Sequence, residues 1–128
     1  MRVLLLFLPF LPKFTNPCLP TRSTTPIVCA CSTDEVALLN NINGAPGSDN
    51  SIQPVGTVAQ TDSNNCPTIY TVTCESTTGG TVYMEFQDSL SAAIQTTSLN
   101  LTCTDGNWLY SDATNGVTLV VSVQCQQT

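Results

Sequence analysis

The cysteines of this chain fall in phase with its alternating apolar residues, and that coincidence limits the folds open to it more than any other feature. In "PTIYTVTCE", Tyr70, Val72 and Cys74 share one side of an extended chain, with Ile69, Thr71 and Thr73 on the other. "SLNLTC" places Leu99, Leu101 and Cys103 together, and "VTLVVSVQC" aligns Val117, Leu119, Val121, Val123 and Cys125. "TVYMEFQ" adds Val82, Met84 and Phe86. Cysteines on the apolar side point into a core, so Cys74, Cys103 and Cys125 are expected inside, within reach of bridges between facing sheets.

These runs are rich in β-branched and aromatic residues, and turn signals separate them at intervals of roughly ten residues. "STTGG" is expected to join the strands around Val72 and Met84 as a hairpin, "DGN" to turn the chain before Trp108, and "ATNG" to turn it before Val117. The expected fold class is all-β, a small antiparallel β-sandwich stabilised by about three disulfides. Upstream, Val36 to Ile42 form an apolar patch suited to a helical turn or a short strand, and the Gly, Pro, Asp and Asn residues that follow suit a loop.

Residues 1–22 read as a signal peptide or signal-like start: Arg2 precedes the apolar run "VLLLFLPFL", which has the length of a signal core and is too short to span a bilayer. The cleavage point stays open. Residues 23–28 form a Ser/Thr/Pro lead-in, and 29–128 the folded domain. Seven cysteines in 128 residues then fit a disulfide framework in an exported protein. The expected location is therefore extracellular, with no membrane insertion of the mature form.

All three basic residues, Arg2, Lys13 and Arg22, precede Ser23, whereas all nine acidic ones follow it. A domain with carboxylates and no cation repels phosphate and sulfate polymers, so nucleic acid is not an expected partner. The chain has no histidine. A His-based triad, a Schiff-base lysine in the domain and a cationic phosphate clamp are excluded with it. Glu75, Glu85, Asp88, Asp105 and Asp112 are the remaining candidates for an acidic glycoside hydrolase, which needs two carboxyl groups facing each other across a bond. Ordinary solvated carboxylates are the favoured reading, and the expectation is no enzyme and no cofactor.

A thiolate zinc site is disfavoured because Cys-x-Cys and Cys-x7-Cys do not match the common knuckle spacing. "GSDNS", "TDSNN" and "SDATNG" offer loop oxygens for calcium but lack the spacing of the twelve-residue calcium loop; turns capped by Asx side chains explain them as well. Asn100-Leu101-Thr102 is an N-glycosylation sequon, and its phase puts Asn100 outward.

The paired early cysteines, "NNCPTIYTVTC", "LTCTDGNW" and the closing "VSVQC" together resemble a six-cysteine extracellular domain family of nematode secreted proteins, over Cys29 to Cys125. The resemblance implies secretion and attaches no general activity. It also implies a bond between Cys29 and Cys66, leaving Cys31, Cys74, Cys103 and Cys125. Among these, Cys74 with Cys103 and Cys31 with Cys125 are the favoured pairs, the former closing a loop worth about 3.5 kcal/mol in the chain-entropy model. Cys18 is left unpaired or is removed with the leader. "C-x-x-G-x-W" also looks like the end of a sushi module, although Cys66 and Cys74 stand too close together for one.

The leading expectation is a secreted, non-catalytic domain with a structural or interaction role toward an extracellular protein or glycan. The alternative is a binding module that presents Trp108 and Tyr110 as an exposed platform. A protease inhibitor has only small size and disulfides in its favour. The phase of "WLYS" favours a Trp108 packed near the Cys74 to Cys103 bridge over one facing solvent.

Overall fold

A computed structural model describes residues 25–42, 45–46, 50–87 and 92–128 of the chain. The expected export segment 1–22 with Cys18, the start of the lead-in, Asp88 and residues 47–49 of "GSDNS" lie outside the described residues. Within them, alternation becomes strand, because extended backbone sends successive side chains to opposite faces and a sandwich buries only one. A single 3-10 turn, Thr33–Glu35, precedes β1 (Ala37–Leu39), β2 (Asn41–Ile42), β3 (Ala45–Pro46), β4 (Ser51–Ile52), β5 (Val55–Thr61) and β6 (Pro67–Thr73). The later strands are β7 (Val82–Phe86), β8 (Ile94–Gln95), β9 (Ser98–Thr104), β10 (Asn107–Asp112), β11 (Gly116–Leu119) and β12 (Ser122–Gln127).

One sheet has the order β1-β12-β7-β8, with β4 also paired to β12; the second has the order β11-β10-β9-β6-β5; β2 and β3 make a short ribbon. Only β1 with β12 is parallel among the pairs described. The inner faces meet through Val82, Met84, Phe86 and Val123 of the first sheet and Tyr70, Val72, Leu99, Leu101 and Trp108 of the second. The all-β sandwich expected from the alternating runs is therefore the fold, and the inward phases of β6, β7 and β9 are as the sequence implies.

Two connections differ from expectation. "STTGG" does not make a hairpin: β6 pairs with β5 and β9, while β7 pairs with β12 and β8, so the loop crosses between sheets. It is organised by Gln127, a buried glutamine whose Oε1 accepts from the Ser76 hydroxyl at 3.0 Å and the Thr77 amide at 2.8 Å, while its Nε2 donates to Thr77 Oγ1 at 2.6 Å. The run "VTLVVSVQC" is likewise not one strand in one phase. The chain leaves the second sheet after Leu119 and enters the first at Ser122, so Val120 and Val123 are buried while Val117, Leu119 and Val121 are exposed. Strands that switch sheets do so at bends, and a bend shifts the phase. Gln87 holds this corner, donating to the Leu119 carbonyl at 2.8 Å and accepting from the Val121 amide at 3.2 Å.

Upstream, the apolar patch takes the strand alternative, as β1 and β2, and the helical turn lies just before it at Thr33–Glu35. Ser32 caps the turn in a reciprocal box with Glu35, and β1 then adds to β12. The stretch after it, expected as loop, holds β3 and β4 as well. At the second sheet's edge, β5 needs Gly56 because the Tyr70 ring lies across it: a Cβ there would sit 1.8 Å from the Tyr70 hydroxyl oxygen.

Three disulfides join Cys29 to Cys66, Cys31 to Cys103 and Cys74 to Cys125, with Cα separations of 5.3, 6.0 and 6.4 Å. The first is the pair implied by the family resemblance. The favoured pairs Cys74 with Cys103 and Cys31 with Cys125 are both corrected. β6 and β9 run antiparallel with Thr73 opposite Ser98 and Ile69 opposite Thr102, so Cys74 and Cys103 lie at opposite ends of one strand pair. That register puts Cys103 opposite Thr68, so the ends are separated by roughly 20 Å of strand, far beyond a disulfide's reach. Each observed bond closes a long loop worth about 4 kcal/mol taken singly in the chain-entropy model.

Gln127→Leu keeps the volume and removes the amide. It is expected to lower the unfolding free energy by about 1 kcal/mol, because half-buried loop donors lose their acceptor. Denaturant titration reads the loss, and hydrogen exchange should show the Thr77 amide losing protection first.

Candidate functional site

The stretch 101–112 places its polar and aromatic residues at two ends of β10. Asp105 and Gly106, both at positive φ (50° and 80°), make the two-residue turn from Thr104 to Asn107. Both positions favour the left-handed region, which suits an Asp-Gly pair. Trp108 follows directly opposite Cys103 and is 1% exposed. Its ring lies 5.7 Å from that of Tyr70, centroid to centroid, and Nε1 donates to the Ser32 carbonyl at 2.8 Å. Cys31, one residue before Ser32, is bonded to Cys103. Trp108 is thus the floor of a disulfide corner that closes one end of the sandwich, and the exposed Trp108 platform is overturned. Burial, with the Asp34 charge adding to it, raises the Tyr70 hydroxyl above its usual range.

Tyr110 is half-buried toward the other end of β10. Its ring packs 5.3 Å from Phe86 and borders a cavity of about 170 Å³ lined by Phe86, Ala92, Ile94, Tyr110, Asn115 and Thr118. Asp112, two residues on along β10, holds two of the lining residues, Asn115 and Tyr110, by hydrogen bonds. Its Oδ1 accepts the Thr114 amide at 2.8 Å and also the Asn115 amide, and its Oδ2 accepts Asn115 Nδ2 at 2.8 Å. These donors, backbone and side chain of Asn115 first and the Tyr110 hydroxyl after them, hold the Asp112 carboxyl at about 2. Tyr110 moves the opposite way: burial first, then the hydrogen bond and charge of Asp112, raise its hydroxyl. At neutral pH the pair is an ionised acceptor beside a neutral phenol. Such a cleft can hold and orient an apolar or hydroxylated group between an aromatic wall and amide and hydroxyl edges.

The other carboxylates are dispersed. Asp105 and Asp112 stand at opposite ends of β10, roughly 20 Å apart. Glu85 lies on the first sheet, where it accepts from Gln124 Nε2 at 3.3 Å and Gln126 Nε2 at 2.8 Å. Glu75 is exposed just beyond β6, and Asp88 lies outside the described residues. Two of the loops considered for calcium use their carboxylates on their own backbone: Asp62 Oδ1 accepts the amides of Asn64 at 2.8 Å and Cys66 at 3.0 Å, and Asp112 does the same in "SDATNG". No group of three or more potential metal ligands occurs among the described residues. Asn100 is exposed, with Leu99 and Leu101 buried on either side of it.

Sequence reasoning singled out Tyr110 and Asp112 separately, but not Phe86, Ile94 or Thr118 as their neighbours. The i and i+2 spacing of Tyr110 and Asp112 was the one signal for a shared face; the rest of the cleft comes from the opposite sheet or from β11. No family model matches the chain, and neither a curated protein nor a solved structure does.

Two measurements test this geometry. Trp108 fluorescence is expected to be blue-shifted and resistant to quenchers, and Trp108→Phe to cost about 1–3 kcal/mol by leaving the ring site underfilled and the Ser32 carbonyl with the Glu35 amide as its remaining donor. A carboxyl titration followed by NMR should place Asp112 near 2, with Asn115→Ala moving it upward. Because the folded value is depressed, the stability linked to Asp112 is full above the ordinary carboxylate range and disappears as pH falls toward about 2.

Proposed function

We propose that this chain is an exported, non-catalytic domain that serves a structural or interaction role toward an extracellular protein or glycan. The observation that carries the reading is that all six cysteines from Cys29 to Cys125 are joined in pairs, two bonds fastening the segment before β1 and one joining the sheets. Bonds of this kind persist in oxidising compartments and are rare where glutathione keeps thiols reduced. The signal-like start supports export, and so does the six-cysteine resemblance, whose implied Cys29 to Cys66 bond matches the structure. No helix among the described residues is long and apolar enough to cross a membrane.

A second reading, a small binding module, is favoured by the cleft beside Tyr110. It differs from the sequence expectation in its residues, since Trp108 is inside and Phe86, Asn115 and Thr118 stand beside Tyr110 instead.

Expression of the full chain in a eukaryotic secretory host, followed by non-reducing peptide mapping of the medium, tests the proposal. The expected peptides join Cys29 to Cys66, Cys31 to Cys103 and Cys74 to Cys125. Retention of the chain in the cytosol, or medium-borne protein with free thiols at Cys74 and Cys125, would sink it.

A further inference from the structure

We propose that Asn100 carries an N-linked glycan that lies across the outer face of the second sheet, so that a partner meets the domain elsewhere, with the Tyr110 cleft left open. This inference rests on export, since the modification belongs to the secretory compartment. Its starting point is the sequon Asn100-Leu101-Thr102, but the fold adds what a sequon alone lacks. β9 is the middle strand of the second sheet. Leu99 is 6% and Leu101 0% exposed, so the pleat turns both Asn100 and Thr102 outward, and both are exposed.

The surroundings suit a sugar. Asn100 faces Thr71 on β6; one pleat along, Thr102 lies between Ile69 on β6 and Leu109 on β10. Ile69 and Leu109 are half-buried, so the row offers apolar surface flanked by hydroxyls, matching the mixed CH and OH faces of a pyranose. Tyr110, next to Leu109 on β10, points to the opposite face, against Phe86. A glycan on Asn100 and a ligand in the cleft would therefore stand on opposite sides of the sheet.

The native hydrogen bond at Asn100 also survives the chemistry. Thr71 Oγ1 donates to Asn100 Oδ1 at 2.7 Å, whereas glycosylation uses Nδ2. In that step Nδ2 bonds to the anomeric carbon of a lipid-pyrophosphate-linked oligosaccharide, the bond from that carbon to the pyrophosphate oxygen breaks, the lipid pyrophosphate leaves with the electron pair, and the amide proton passes to a base of the transferase or to solvent. Oδ1 keeps its lone pairs, and Thr71 keeps its acceptor. The fold thus holds the amide by the atom that the modification leaves unchanged.

The test is translation of the full chain with microsomes and expression in a secretory host, with intact masses before and after treatment with a glycosidase that releases N-glycans. The wild type and Thr102→Ser are expected to lose one N-glycan of mass on treatment, while Asn100→Gln and Thr102→Ala should show none to lose. Radical footprinting of the released protein should label Ile69 and Leu109 severalfold more than in the glycosylated form, with Tyr83 and Tyr110 unchanged. Secreted wild type at the bare polypeptide mass overturns the glycan and leaves the export reading standing. A chain that microsomes do not take up overturns both. A glycan whose removal leaves Ile69 and Leu109 labelled as before overturns its placement on this face.

Discussion

Cys74 sits where β6 ends and the chain leaves the second sheet, and its bond reaches Cys125 in β12, the strand to which β1, β4 and β7 all pair. Among the described residues no backbone hydrogen-bond ladder joins the two large sheets, which are held face to face by side-chain packing and this bond. Around it are packed Val72, Met84 and Val123, each buried. The loop that crosses beside it is fastened by the Gln127 amide, two residues on from Cys125. A small core gains little from area alone, and covalent closure of long loops makes up the difference by restricting the unfolded chain.

The other two bonds act at the opposite end of the sandwich. They fix Cys29 and Cys31 against the start of β6 and the end of β9, and in doing so lay Ser32 over Trp108. A buried tryptophan usually gives its N–H an acceptor; here the acceptor comes from a segment distant in sequence and held in place by disulfides. That arrangement uses Trp108 as a structural element and leaves Tyr110, two residues later on the same side of β10, as the aromatic available near a cleft.

Much of the strand content was legible because period two is local. Tyr70, Val72, Cys74, Val82, Met84, Phe86, Leu99 and Leu101 all take the sides their alternation implies, since the pleat leaves no other choice once one face is buried. Legibility failed where distant segments compete. "STTGG" has the composition of a hairpin, yet β12 is the better partner for β7, and nothing within the loop reveals that. "VTLVVSVQC" keeps an apolar residue or cysteine at every second position from Val117 to Cys125, but a change of sheet at Val120 and Val121 reverses its phase. The cleft was legible only in Tyr110 and Asp112, because its remaining wall belongs to Phe86, Ile94 and Thr118.

The sequence by itself determined the all-β class, the inward direction of Cys74 and Cys125, the outward direction of Asn100, and a domain surface without cations. Each follows from residue identity or from two-residue periodicity. Only the tertiary structure decided which cysteines bond, which side of the sandwich each strand joins and which disulfide Trp108 packs beside. Disulfide choice depends on a few ångströms of separation between chain segments, and strand antiparallelism sends Cys74 and Cys103 to opposite ends of one pair while bringing Cys31 to Cys103 and Cys74 to Cys125. The crowded stretch from Leu101 to Asp112 is consequently two things: a sealed corner at its start, and the edge of an open cleft at its end.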